Sequence, residues 1–402
     1  MNTIKLYDEN AYAVEFTASV VQAVPLSGAE RLLVILDRTL FFPEEGGQTP
    51  DFGVLEGFPV TDVQIKDGVI THTIACGDPS LFPEGKTVCG KIDWEHRFSN
   101  MQNHTGEHIL SGILHSVYGY ENVGFRLSEN TVTLDTSGQL DDEQIRDLEL
   151  RANRVVWQNL AVTAAYPPAE ELEKLEYRSK ISLTEGVRLV TIPGIDVCAC
   201  CAPHVARTGE IGLIKIIGVL HNKKNMRLTI VCGKRALEEM QLRQTQLEEI
   251  SHLTSRPADD AASGVHKLLE EISLLKEKVT AAELIRVTSI VKQHKDELEA
   301  SGAEIASSCI FLFEKELSPL AQRSLMNGLC DLGLRFAGVF TGDDETGYRY
   351  LIGSRADDAR VPNAVLKERF SAKGGGKPEM VQGSVSASEE MILSSLASGG
   401  CR

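Results

Sequence analysis

Two histidines four residues apart, His104 and His108, and a cysteine and histidine four apart, Cys200 and His204, are the residues of this chain best suited to chemistry. On a helix, positions i and i+4 lie on one face about one turn apart, so both imidazoles can reach a single ion. Cys200 and His204 can do the same from a turn or a short helix. Zinc accepts both thiolate sulfur and neutral imidazole nitrogen, and it is indifferent to how far apart in sequence its ligands lie. The expectation is one Zn2+ per chain, held by His104, His108, Cys200 and His204. Four protein ligands describe a closed structural site, whereas a catalytic zinc keeps one position open. Either one ligand is weak, or the ion expands to five, or zinc orients a substrate while water is activated elsewhere.

The same segment spells His-x-x-Glu-His through Glu107, the pattern of a zinc peptidase in which the glutamate is the general base. The alternative for Glu107 is a solvent-facing helix position. Cys198 and Cys201 flank Cys200 and are read as packed thiols that could compete as ligands. Directly after this cluster the charge changes sign. Residues 200–235 hold seven Lys and Arg against one Glu, whereas residues 1–90 hold five against thirteen Asp and Glu. That basic stretch, with Lys223, Lys224 and Arg227, suits a polyanionic substrate end delivered to the metal.

Such residues need elements to hold them. With 402 residues the chain can fold into two or three domains. A net charge of −16 argues against nonspecific nucleic-acid binding, and nine scattered cysteines argue against a disulfide framework. There is no apolar run of about 18 residues and no signal-peptide plan at the start, so no membrane is expected and the protein reads as cytoplasmic. Short apolar runs at 11–24, 31–37, 60–65 and 68–74 predict a small antiparallel barrel or sandwich over residues 1–90, of which the barrel is the reading adopted. The pattern turns helical over 97–115 and again over 141–160, and strands are predicted at 187–192, 211–219 and 228–232. Residues 91–235 therefore form an α+β domain bearing the metal pair. Residues 236–300 read as a helical linker with a heptad-like apolar stripe, long enough for a dimer contact. Residues 301–402 read as a small α/β domain. Within it, Gly374, Gly375, Gly376 and Lys377 are predicted to form a loop that cradles a phosphate through backbone amides. The fold class is thus α+β overall, with a barrel at the amino end.

Four stretches carry a family likeness. Thr39-Leu-Phe-Phe-Pro-Glu-Glu-Gly-Gly-Gln48 with Asp51-Phe-Gly53, Asn103 to His108, Asp196 to Gly212, and Gly374 to Met380 resemble, in order, the signatures of alanyl-tRNA synthetase editing domains and of their carboxy-terminal domain, called DHHA1. Because the barrel-like region starts at the amino terminus, the chain resembles the free-standing AlaX-type editing proteins in their long form. The resemblance implies hydrolysis of tRNA(Ala) mischarged with Ser or Gly, with the same four residues as zinc ligands. Thr39 and Gln48 are then candidates to reward a seryl hydroxyl, since a polar site left unpaired by alanine rejects it. It also implies that Lys223, Lys224, Arg227 and the Gly374–Lys377 loop meet tRNA, and that a homodimer forms through the helical linker or the carboxy-terminal domain. Cys201-Ala202-Pro203 departs from the family's Gly-Gly-Thr, and proline offers no amide there. Two other readings stand beside this one: a zinc peptidase, and a noncatalytic tRNA-binding module with structural zinc.

Overall fold

The computed structural model describes residues 2–26, 30–129, 131–179, 186–302 and 304–401. The chain divides into two compact units, Met1–Gln246 and Leu247–Arg402.

In the first unit, six antiparallel strands close on themselves. They are β1 (Glu15–Pro25), β2 (Leu32–Leu36), β3 (Gly53–Leu55), β4 (Phe58–Lys66), β5 (Val69–Ile74) and β6 (Thr87–Ile92), in the order β1-β2-β5-β4-β3-β6. Burial alternates along β2 and β6 with period two, as a filled barrel requires. Leu32, Val34, Leu36, Val63, Ile70 and Val88 fill its interior. The last barrel strand runs to Ile92, two residues past the boundary predicted at 90.

Asp93 then caps helix α1 (Trp94–Ile113), accepting the His96 amide at 3.1 Å. This helix is buried almost all round, from Asn100 to Ile113. A buried helix must approach its neighbours closely. Gly106 allows this, because any Cβ there would collide with Cys232 Sγ, and Gly112 is pressed on the Ile195 carbonyl. A second sheet packs against α1 and against α2 (Asp142–Gln158). It comprises β7 (Asn122–Leu127), β8 (Val132–Thr136), β12 (Ile214–His221) and β13 (Met226–Cys232), in the order β12-β13-β8-β7. A three-stranded sheet joins β9 (Thr163–Ala165), β10 (Leu189–Ile192) and β11 (Asp196–Ala199). The barrel and α1 are locked together by a fully buried ion pair. Arg97 meets Asp51 and also donates to the carbonyls of Leu40 at 2.5 Å and Ala11 at 3.0 Å, while Asp51 accepts the Phe42 amide at 2.6 Å.

The predicted helical linker is two helices, α3 (Lys234–Thr254) and α4 (Ala261–Ser301), broken around Pro257. The second half of α4 lies on the core of the second unit, with Val287, Ile290 and Val291 against α5 (Pro319–Cys330). The remainder of that unit is a five-stranded sheet of β14 (Cys309–Glu314), β15 (Phe336–Asp343), β16 (Gly347–Gly353), β17 (Lys373–Lys377) and β18 (Met380–Val385), in the order β14-β15-β16-β18-β17. Helices α6 (Arg360–Phe370) and α7 (Glu389–Ser398) complete it.

One expectation is corrected here. Gly374, Gly375 and Gly376 are not a phosphate loop but the middle of strand β17, paired residue for residue with β18. Gly374 and Gly376 have no room for a Cβ, whereas Gly375 faces open space. Tyr350 Oη, hydrogen-bonded to Asn363 at 2.6 Å, occupies the space where a Cβ of Gly374 or Gly383 would lie. Gly376 is likewise closed in by the backbone of Met380 and Val381.

Candidate metal centre

His104, Nε2 foremost, His108 and His204 converge with the Cys200 thiol. One ligand atom from each of the four lies within 4.8 Å of all the others. Helix α1 supplies His104 and His108, whose rings are 5.4 Å apart. The segment after β11 supplies Cys200 and His204, with Sγ 3.5 Å from His104 Nε2 and 3.4 Å from His204 Nε2. Arg188 fixes that segment by donating to the carbonyls of Cys200 at 3.0 Å and Ala202 at 2.9 Å, and it also meets Asp8 at 3.3 Å.

Each imidazole is oriented from behind through Nδ1. His104 Nδ1 donates to Gln48 Oε1 at 2.7 Å, and His108 Nδ1 donates to Asp196 at 2.9 Å. For His204 the partner is Thr105. Its hydroxyl already donates to the Met101 carbonyl at 2.8 Å, so at 3.0 Å it accepts from His204 Nδ1. Three Nδ1–H bonds to acceptors leave three Nε2 lone pairs facing the centre. That is the arrangement by which outer groups set the tautomer of metal-binding histidines. Asp196 is held in turn by Arg178, at 2.7 and 2.8 Å.

Electrostatics fit a cation. Burial would raise the Cys200 thiol, but the imidazoles of His104 and His204 overcome it and hold the group well below the ordinary thiol range, toward thiolate. Burial pushes His204 down to about 3, so it is neutral. Burial opposes the charge of His108 as well, yet Asp196 and Cys200 raise it well above the ordinary value, so a cation at the centre would displace a proton. A thiolate beside three imidazoles is a donor set that zinc accepts.

The turn Glu45–Gln48 builds one wall. Gly46 at φ +63° and Gly47 at φ +83° take the left-handed conformation, and the Gly47 carbonyl accepts the Leu127 amide at 2.7 Å, docking the turn on the edge strand β7. No Cβ fits at Gly47, since it would fall 2.6 Å from the Phe125 carbonyl oxygen. This places the Gln48 carboxamide on His104. Its other atom, Nε2, is buried with no hydrogen-bond partner among the described residues.

The other predicted residues are placed as follows. Thr39 is fully buried in the barrel, where it accepts the Phe41 amide at 3.0 Å. Its hydroxyl lies 2.9 Å from His72 Nε2. Burial lowers His72 to about 4, and its Nδ1 donates to the Val34 carbonyl at 3.1 Å, so the neutral ring accepts the Thr39 proton. Glu107 is not solvent-facing: it is buried and accepts from Ser111 and Asn122. Lys223 and Lys224 are exposed in the turn between β12 and β13, and Arg227 is bound to Asp135 at 2.6 and 2.8 Å. Cys198 forms a second group with His108 and Asp196, while Cys201 lies toward Glu45 and Gly46. Lys377 is exposed at the end of β17.

Known proteins match this arrangement in two places. Residues 187–229 match the family described as threonyl and alanyl tRNA synthetase second additional domain, and residues 3–96 match tRNA synthetases class II (A). The alanyl-tRNA editing protein AlaX-L of Pyrococcus horikoshii is 34% identical over 243 residues, 59% of each chain. The chain is a relative of the AlaX-type editing proteins. It is also similar to the alanine–tRNA ligases of Ignicoccus hospitalis, 32% identical over 73% of this chain and 33% of the ligase, and of Methanothrix thermoacetophila, 29% identical over 95% and 42%. The chain thus spans 59% of the AlaX-L relative and less than half of either ligase. No helix among the described residues is long and apolar enough to cross a membrane.

Against this AlaX-type likeness, sequence reasoning named the four residues that converge but missed the residues that orient them. Asp196, Thr105 and Arg188 carry no spacing signal of their own. Asp196 and Thr105 lie inside the quoted motifs, and that was the one available hint.

Proposed function

We propose that this protein is an aminoacyl-tRNA ester hydrolase that removes serine, and glycine as a second substrate, from mischarged tRNA(Ala). The observation that carries the proposal is the set of three Nε2 atoms and one thiolate aimed at a common centre, each imidazole held through Nδ1. The donor set suits one Zn2+, held by His104, His108, Cys200 and His204. Zinc bound there would polarise the ester carbonyl and lower the pKa of a water.

The chain's own groups do the rest. Gln48 Nε2–H, unpartnered beside His104, is the donor we assign to a substrate oxygen. A serine hydroxyl can satisfy it and an alanine methyl cannot, which is how a buried polar site discriminates strongly. Thr39 donates its hydroxyl hydrogen bond to His72 and keeps a lone pair that can accept from the seryl hydroxyl. We assign Met1–Gln246 to the ester and Leu247–Arg402 to the body of the tRNA, with a second copy of the chain as the expected dimer partner. We assign tRNA contact to the exposed Lys223, Lys224 and Lys377. Arg227, spent on Asp135, is the weakest of that group.

The peptidase reading loses support from Glu107, whose carboxylate is tied to Ser111 and Asn122 and is not among the converging ligand atoms. The deciding experiment measures release of serine from Ser-tRNA(Ala), and of alanine from Ala-tRNA(Ala), before and after chelation and zinc restoration. Serine release that vanishes and returns is expected. Zinc content without hydrolysis would leave the noncatalytic reading, and cleavage of casein would favour the peptidase.

A further inference from the structure

Inside the barrel of the first unit, one polar side chain stands in an apolar row. His72 of β5 is paired across the sheet with Val34 of β2 on one side and Val63 of β4 on the other, and all three side chains are fully buried. Burying a polar ring among methyl groups costs free energy unless its nitrogens are bonded. Both are: Nδ1 donates to the Val34 carbonyl at 3.1 Å, and Nε2 meets the Thr39 hydroxyl at 2.9 Å. Burial lowers the ring to about 4, so it is neutral, and with the proton on Nδ1 it has only a lone pair to offer at Nε2.

That lone pair decides what Thr39 can do. A threonine hydroxyl has one proton to donate and two lone pairs that accept. The proton is directed to His72, and one lone pair takes the Phe41 amide at 3.0 Å. What remains is a single acceptor. The segment that follows carries the complementary group. It is pinned to the same row where the Glu44 amide donates to the Val63 carbonyl at 2.9 Å, and it ends at Gln48. There Oε1 is taken by His104, and Nε2, buried with no hydrogen-bond partner among the described residues, can only donate. A ligand group that satisfies both must accept from Gln48 and donate to Thr39. A hydroxyl does both, a methyl does neither, and an ether or fluoride only accepts.

We propose that His72 is a positioning residue for substrate selection: by accepting the Thr39 hydrogen bond it leaves Thr39 an acceptor alone, so that the pocket rewards an aminoacyl ester whose side chain donates. The inference deepens the serine reading given above and rests on it. A histidine kept only for packing would have no such consequence, since a phenyl ring would fill the same space against Phe41, whose ring centre lies 5.6 Å away.

The test compares tRNA(Ala) carrying serine, glycine, alanine or β-fluoroalanine, the last being close to serine in size but having no side-chain proton to donate. With the zinc-loaded parent, fluoroalanine should be released at the alanine rate; release as fast as serine overturns the proposal. His72→Phe should lower kcat/KM for serine roughly tenfold or more, the size expected when a buried hydroxyl loses its matched partner. Glycine, with no side chain to be read, should lose far less, and bound zinc should hold. His72→Gln, which can place a carbonyl oxygen where Nε2 stood, should recover most of the serine loss. Serine and glycine release falling together in His72→Phe, or a His72→Gln no better than His72→Phe, makes this a packing residue and overturns the proposal. Should neither variant fold, the fluoroalanine comparison on the parent decides. A zinc-loaded parent that releases none of the four amino acids gives a separate result: it refutes the hydrolase reading itself, and the selection with it.

Discussion

The two polar clusters of this protein are built on opposite principles. Around His104, His108, Cys200 and His204, every outward-facing ring nitrogen has its acceptor, the three histidines are buried and Cys200 partly so, and the unmet valence points inward to one centre. On the sheet of the second unit, Arg349 of β16 and Lys373 of β17 stand in one row, both paired with Ser384 of β18. With Arg323 of α5 they are exposed and meet no partner among the described residues. The first arrangement fixes geometry at the cost of desolvation, which suits a small ion. The second leaves its charges hydrated. The contrast teaches that satisfaction of the surrounding groups says more about a polar cluster than its composition does.

The comparison can be broken most severely at the centre. His104→Ala removes one of four ligands, so bound zinc by elemental analysis should fall to background. Serine release should drop by more than the ~100-fold typical of outer-shell changes. Retained zinc and unchanged turnover would remove the cluster from the chemistry. Next in size is the lock behind it. Asp51→Ala strands the buried Arg97 guanidinium and should cost about 3–5 kcal/mol in denaturant unfolding; a loss within 1 kcal/mol would mean that water reaches Arg97.

Asp196→Asn keeps the shape but weakens the hold on His108, and a 10- to 100-fold loss of zinc affinity is expected by competition with a chelating dye. The same residue predicts a pH effect. Burial works to raise the Asp196 carboxyl, but hydrogen bonds from His108 and Arg178 win and hold it below the ordinary carboxylate range. Its contribution is therefore present above the unfolded value of about 3.9 and is lost as pH falls through the lower folded value. Thermal melts of chelated protein should fall more steeply below about pH 4 for the parent than for Asp196→Asn, and parallel curves would clear Asp196 of the role. Smallest of all, Arg227→Ala should leave RNA affinity within error, because that charge is already bound to Asp135; a clear loss would show that the pair opens to tRNA.

The two halves of the His/Cys cluster were legible because helical spacing and ligand chemistry are local properties, and α1 does present His104 and His108 on one face. Glu107 was read as solvent-facing because spacing along one helix cannot reveal that two sheets bury it. Gly374 to Gly376 looked like a loop because glycine runs usually are one. Tertiary packing, Tyr350 against Gly374 and the Met380–Val381 backbone against Gly376, explains why side chains are excluded at those two positions. The positive φ of Gly46 and Gly47 fits the glycine pair in that motif, since a tight turn is a local matter.

What this sequence determined by itself was chemical identity and local form: which side chains can bind a cation, where helices and strands run, where the chain must turn. What only tertiary structure decided was orientation. Asp196, Thr105 and Gln48 reach their histidines, and Arg349 its row with Lys373, across tens of residues, and such pairings follow from strand register and helix packing, which no local pattern encodes.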